Sequence, residues 1–209
     1  MMFDYIRQGQ EIYQNSFAMI RQEADLSLIP PDLEKVAVRL IHSCGMVDIV
    51  DDLAFSSQAG MVGRTALARG APILCDAQMV AYGITRARLP ANNEIICTLN
   101  DSEVHQLAEK TKTTRSSAAV DLWLPYMEGA VVAIGNAPTA LFRLLELLEA
   151  GAAKPALILG FAVGFVGAIE SKQALAQNRQ KIPFITIHGR RGGSAMAVAA
   201  VNALANERE

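Results

Sequence analysis

Three histidines and three cysteines are spread over the 209 residues, few enough for each to be weighed as a chemical group. His42, in RLIHSCGMVDIV, falls in the last turn of a helix if Gly45 supplies the left-handed residue that commonly closes helices. A helix C-terminus carries partial negative charge and Asp48 follows shortly. Both effects favour imidazolium and keep a proton available near neutral pH. This makes His42 a candidate general acid rather than a nucleophile, although a lone histidine there is more often an interface residue with satisfied nitrogens. His105, inside DSEVHQLAEKT, reads as a solvated helix residue. His188 ends a strand, where facing a ligand and stabilising a turn are both open. Cys44, Cys75 and Cys97 lack the C-x-x-C spacing of zinc or redox sites and read as small buried residues, so no metal site is expected.

A second group of residues suits the holding of anions. The segments GNAPTA, GFAVGFVGA and GRRGGSA are glycine-rich turns that open directly into helices. Small residues allow close approach of backbone N–H groups, and helix N-termini favour negative charge. Short strand-to-helix turns need glycine anyway, so each loop alone is weak evidence. Neither a G-x-G-x-x-G nor a G-x-x-x-x-G-K-[ST] spacing is present, so a nucleotide phosphate is not indicated. Arg86 and Arg88 in TRARLP, Arg115 in TTRSSAA, and Arg190 and Arg191 in GRRGG fall in or near loop and helix-start positions. A guanidinium there can hold a carboxylate at two points, although each arginine by itself is more often a solvated surface residue.

The elements that must position these groups are legible from apolar patterning. From about residue 70 onward, short Ile/Val/Leu-rich runs alternate with amphipathic segments, as in parallel strands joined by helical crossovers. The expected strands are 71–77, 94–99, 131–136, 156–161 and 183–189, separated by helical stretches at 79–87, 101–111 with 113–127, 137–151 and 166–178, with another at 194–207 after the last strand. Their continuous rather than alternating apolar character implies that both sheet faces are covered. The first 60 residues read as helices only: 4–24, 32–44 opened by Pro30 and Pro31, and a shorter one near VDIVDDLAF. The expectation is an α/β fold: one domain over 1–209, three α/β/α layers, a mostly parallel five-stranded sheet and an N-terminal helical segment.

Composition narrows the partners. Net charge is −2, from 19 basic and 21 acidic residues without a basic block, which argues against nucleic acid. The longest uncharged apolar stretch runs from Pro155 to Ile169, is broken by glycines, and falls short of the roughly 20 residues of a spanning helix. The N-terminal MMFDYIRQGQEIY has polar residues where a signal peptide has its apolar region, so a cytoplasmic protein with no membrane span is expected.

Several segments together, RLIHSCGMVDIVDDLAFS, RGAPILCDAQMVAYGITRARLP, TRSSAAVDLW, VVAIGNAPTALFRLLELL, ILGFAVGFVGAIESK and GRRGGSAMAVAAVNAL, closely resemble the precorrin-8X methylmutases of cobalamin biosynthesis, in order from about Tyr5 to Leu204. The resemblance implies an isomerase that moves a methyl group from C-11 to C-12 of a polycarboxylate macrocycle by an acid-assisted 1,5-sigmatropic shift. It also implies no cofactor and a homodimer with sites near the subunit interface. On it, the catalytic histidine falls on His42 and a substrate-contacting serine on Ser16 of IYQNSF. Arg115 is expected to bind substrate carboxylates, with Thr85 and Arg86 of GITRARLP on the same rim. The roles of His188 and Arg191, and the choice between metal-free and cobalt-containing substrate, stay open. Two other readings compete: a non-catalytic tetrapyrrole carrier, and a hydrolase using Ser194 or Ser116 with His42, for which there is no G-x-S-x-G elbow.

Overall fold

A computed structural model of the chain describes residues 3–206. Its centre is a sheet of six strands in the order β1-β6-β5-β4-β2-β3. Strands β2 (Ile73–Cys75), β3 (Ile95–Ile96), β4 (Val131–Ile134), β5 (Leu157–Gly160) and β6 (Phe184–Ile187) are mutually parallel. They are the five runs expected, each shortened at one end or both. The sixth strand, β1 (Leu53–Phe55), pairs antiparallel with β6 through Leu53 and Ile187, so the five-strand expectation falls short by one. The segment VDIVDDLAF, read as a short helix, is a 3₁₀ helix over Val47–Asp52 and departs from that reading at Leu53–Phe55, which forms this edge strand. A local pattern that short does not separate helix from strand, and pairing with β6 decides it.

Strands β2, β4, β5 and β6 are buried on both faces, and successive residues serve opposite layers. Ile73, Val131, Ala133, Leu157, Leu159, Ile185 and Ile187 join one core, while Leu74, Val132, Ile134, Ile158 and Phe184 join the other. The first layer holds α1 (Gly9–Glu23), α2 (Glu34–Cys44), α3 (Ala59–Ala68), α4 (Gln78–Gly83) and α9 (Ser194–Ala205). The second holds α6 (Arg115–Asp121), α7 (Pro138–Glu149) and α8 (Ala168–Ala176), with α5 (Val104–Thr111) packed on α6. This is the three-layer α/β arrangement expected. Helix α3 lies outside the expected set; Asp32 ties down its start, accepting from Met61 N–H at 3.1 Å and, through its carbonyl, from Arg64 at 2.9 Å. The helix expected over 194–207 ends at Ala205, and Glu207 lies outside the described residues.

Helix α9 contacts the central strands β4 and β5, with α2 and α4 both packed against it and α4 also reaching β2. The Lys35 ammonium, near the start of α2, donates to the carbonyl of Asn206 just past α9. The two helices therefore run antiparallel, and the His42 end of α2 points toward the carboxyl edge of the sheet, where α9 begins. No helix of the described residues is long and apolar enough to cross a membrane.

Candidate active site

His42 occupies the last turn of α2, and Gly45 closes the helix with φ +70° and an N–H that reaches the Ile41 carbonyl, as its sequence position suggests. Only a left-handed residue makes that turn cheaply, so glycine stands where the chain must leave α2. From α1, Ser16 reaches across to His42, its Oγ 2.7 Å from Nδ1. Tyr13, one turn before Ser16, and Phe17, the residue after it, flank the imidazole with ring centroids at 5.4 and 5.2 Å, the Phe17 contact being edge-on. Three residues of one helix face thus fix the ring's plane and engage one of its nitrogens, leaving Nε2 as the second proton position.

The pair opens on a cleft of about 390 Å³ walled mostly by apolar groups, among them Ile6, Met19, Ile20, Ile41 and Val47, with Glu23 as its carboxylate. This environment acts against the expected imidazolium. Burial pushes the His42 pKa below its usual value, and Arg39, one turn earlier on the same helix, adds to the depression. Asp48 does not help, because its carboxylate is committed to Arg191 at 2.7 Å. Desolvation and a like charge thus bias the resting imidazole toward neutrality.

The glycine-rich turns are also used differently from the expectation. Asp76, buried just beyond β2, accepts from the N–H groups of Gly135 at 2.8 Å, Asn136 at 2.9 Å and Ala137 at 2.7 Å. The anion at the start of α7 is therefore the chain's own. Burial raises the Asp76 pKa while these three donors act against it. Gly193 N–H bonds the Phe161 carbonyl, Gly164 N–H the Arg190 carbonyl and Val163 N–H the Asn136 carbonyl. A side chain at Gly192 would put a Cβ 2.4 Å from the Phe161 carbonyl oxygen. These glycines let the loops close on one another. Asp76 was missed by sequence reasoning, although an aspartate ending an otherwise apolar strand run is the signal that marks it.

The remaining expected contacts are dispersed. Arg115 is exposed at the start of α6, in the opposite layer from His42, and donates to the Leu99 carbonyl at 3.2 Å and Asn100 Oδ1 at 3.1 Å. Its neighbour Thr114 touches Thr139 at 2.8 Å, which places it at the carboxyl edge where α7 begins. Thr85 and Arg86 are exposed beyond α4; Thr85 N–H donates to Asn202 of α9 at 3.0 Å. Among the described residues, only Ser16 of the expected contacts meets His42. His188 is half-buried, its N–H on the Asp52 carbonyl at 2.8 Å. His105 is an exposed helix residue 3.4 Å from Glu109, and Ser194 and Ser116 make no contact with His42 among the described residues, so the hydrolase pairing has no geometry. Cys75 is buried as expected, whereas Cys44 and Cys97 are half-buried; no group of three His, Cys, Asp or Glu suited to a metal occurs among the described residues.

Comparison with known proteins agrees with this architecture. Residues 11–207 match the family described as precorrin-8X methylmutase. The chain is 65% identical to a precorrin-8X methylmutase of Pseudomonas aeruginosa over the whole of both chains, and 57% identical to one of Sinorhizobium sp. over 97% of each. It is 37% identical to a cobalt-precorrin-8 methylmutase of Priestia megaterium over 94% of this chain and 87% of that one. The solved precorrin-8X methyl mutase of Thermus thermophilus superposes with a TM-score of 0.85 over 94% of both chains, at 39% identity. A near-full-length match on the same α/β scaffold, with the histidine and serine brought together across two helices, makes this chain a member of the precorrin-8X methylmutase family.

Proposed function

We propose that the protein is an isomerase that moves a methyl group from C-11 to C-12 of precorrin-8X, with His42 as the general acid and Ser16 as the residue that orients it. The observation that carries the reading is the 2.7 Å Ser16–His42 bond at the wall of an apolar cleft. The reaction rearranges one molecule, so no atom or electron enters or leaves. The protein's tasks are to hold the macrocycle in a reactive geometry and to lend a proton that makes its conjugated system electron-poor. When His42 is protonated, Nδ1–H donates to Ser16 Oγ and Nε2–H is available to the ring. A resting imidazole biased toward neutrality becomes an acid on arrival of a polyanion, because carboxylates within about 4–6 Å favour the charged form.

Metal-free precorrin-8X is the favoured substrate. The Pseudomonas aeruginosa and Sinorhizobium relatives that carry that name are 65% and 57% identical, against 37% for the cobalt-precorrin-8 enzyme of Priestia megaterium. The cleft lies at the small end of the roughly 300–1,000 Å³ typical of ligand sites, and a macrocycle ringed with carboxylates extends beyond it. Arg115, Thr85 and Arg86 lie apart from His42 within one chain. A homodimer in which the second copy brings such residues to the rim accounts for both facts. A cytoplasmic setting accords with a biosynthetic intermediate as substrate.

Incubation with precorrin-8X and with cobalt-precorrin-8, side by side, tests the reading. A corrin absorption spectrum that grows faster from the metal-free compound and is lost in His42→Ala is expected. Tight binding with no spectral conversion would instead mark a carrier.

A further inference from the structure

Lys172 of α8 is wholly buried, at 0% exposure. An ammonium there is costly, because desolvation disfavours its charge. Its Nζ donates to the Arg191 carbonyl at 2.5 Å. Burial holds its pKa down at about 8, and the Asp52 carboxylate acts in the opposite direction. The Arg191 guanidinium then spans two carboxylates, Asp48 at 2.7 Å and Asp52 at 2.5 Å. Asp52 is held again through its carbonyl, which accepts from His188 N–H at 2.8 Å. Two cations and two anions thus join α8, the loop after β6 and the 3₁₀ turn Val47–Asp52. That turn follows the Gly45 cap of α2 by two residues, and Gly45 and Val47 both line the His42 cleft.

We propose that Lys172 and Arg191 are positioning residues for the methylmutase reaction: through Asp48 and Asp52 they fix the wall formed by residues 45–47 relative to the sheet, and so set the geometry in which His42 meets the macrocycle. The proposal rests on the assignment of His42 above. Stability alone is a poor account of this network. Partly exposed ion pairs contribute little to stability, and replacing a whole buried ion pair by apolar side chains of similar size is often neutral or stabilising. What the network supplies is geometry, and a displacement of about 1 Å at a reacting group can cost about 100-fold in rate.

The test compares parent, His42→Ala, Lys172→Met, Arg191→Met and the Lys172/Arg191 double variant by melting temperature and by kcat and KM on precorrin-8X. Each single clamp variant is expected to keep its melting temperature within a few degrees and its KM within about threefold, while kcat falls about tenfold or more. The double variant is expected to be no worse than either single one, because both break one linkage. A parent-like kcat in folded Arg191→Met overturns the proposal, as does a loss of kcat that only tracks the loss of folded protein. If Lys172→Met does not fold, the partly exposed Arg191 carries the test. An inactive parent, or an active His42→Ala, brings down the functional reading and this proposal with it; failure of the clamp variants alone, with those two controls as expected, brings down only this one.

Discussion

At the residue scale, the central fact is a histidine held by a serine in an apolar cleft and biased toward its neutral form. Removing it should be severe but specific. His42→Ala is expected to lose about 100- to 10,000-fold in turnover, the usual range for acid–base assistance, while product titration gives an affinity close to the parent's. Ser16→Ala leaves the acid in place and loses its orientation, so a smaller drop in kcat is expected, read in the same spectral assay. The pH dependence follows from the sign of the shift. Because the folded pKa lies below 6.5, kcat/KM, which reports free enzyme, should fall as pH rises through that lower value. The kcat profile should hold to higher pH, since bound carboxylates restore the imidazolium. Stability runs the other way: the unfolded chain binds the proton more tightly, so His42 makes the fold less stable as pH falls through about 6.5. Urea unfolding at a series of pH values checks this, with His42→Gln expected to flatten that part of the curve.

Elements decide where that residue stands. Helix α2 ends at Gly45 with φ +70° and open space around the position of a Cβ. Gly45→Ala therefore adds backbone strain without a clash, and a loss of about 1 kcal/mol is expected in denaturant unfolding. On the other side of the sheet's carboxyl edge, Asp76 binds the turn between β4 and α7 through three backbone donors. Asp76→Ala strands those donors in a buried place and should cost about 2–4 kcal/mol, again read by unfolding. Asp76→Asn should recover only part of this, because an amide offers one acceptor oxygen where the carboxylate uses both.

At the scale of the whole molecule, one chain does not bring all of the expected substrate contacts to one cleft. Light scattering is expected to give the mass of two chains. Arg115→Ala should weaken product binding by about 10- to 100-fold, as for a lost charge-assisted hydrogen bond, with a shallower dependence of affinity on salt. Affinity and salt response equal to the parent's would leave Arg115 with only its bonds to Leu99 and Asn100.

The amino-acid sequence by itself determined the layered α/β scaffold and the five parallel strands, because continuous apolar runs between amphipathic segments have few other solutions. It also determined the end of α2 at Gly45, because a left-handed turn needs that residue type. The motif resemblance singled out His42 and Ser16, which are 26 positions apart and share no local pattern. Tertiary structure decided the rest. The edge strand β1 exists because β6 offers it a partner. Asp76, not a ligand, takes the donors of the GNAPTA turn, because β2 ends beside that turn. The His42 pKa is lowered by burial and by Arg39, while Asp48 is held by Arg191, distant in sequence. Each of these depends on which groups meet across the fold, and local sequence holds no record of that.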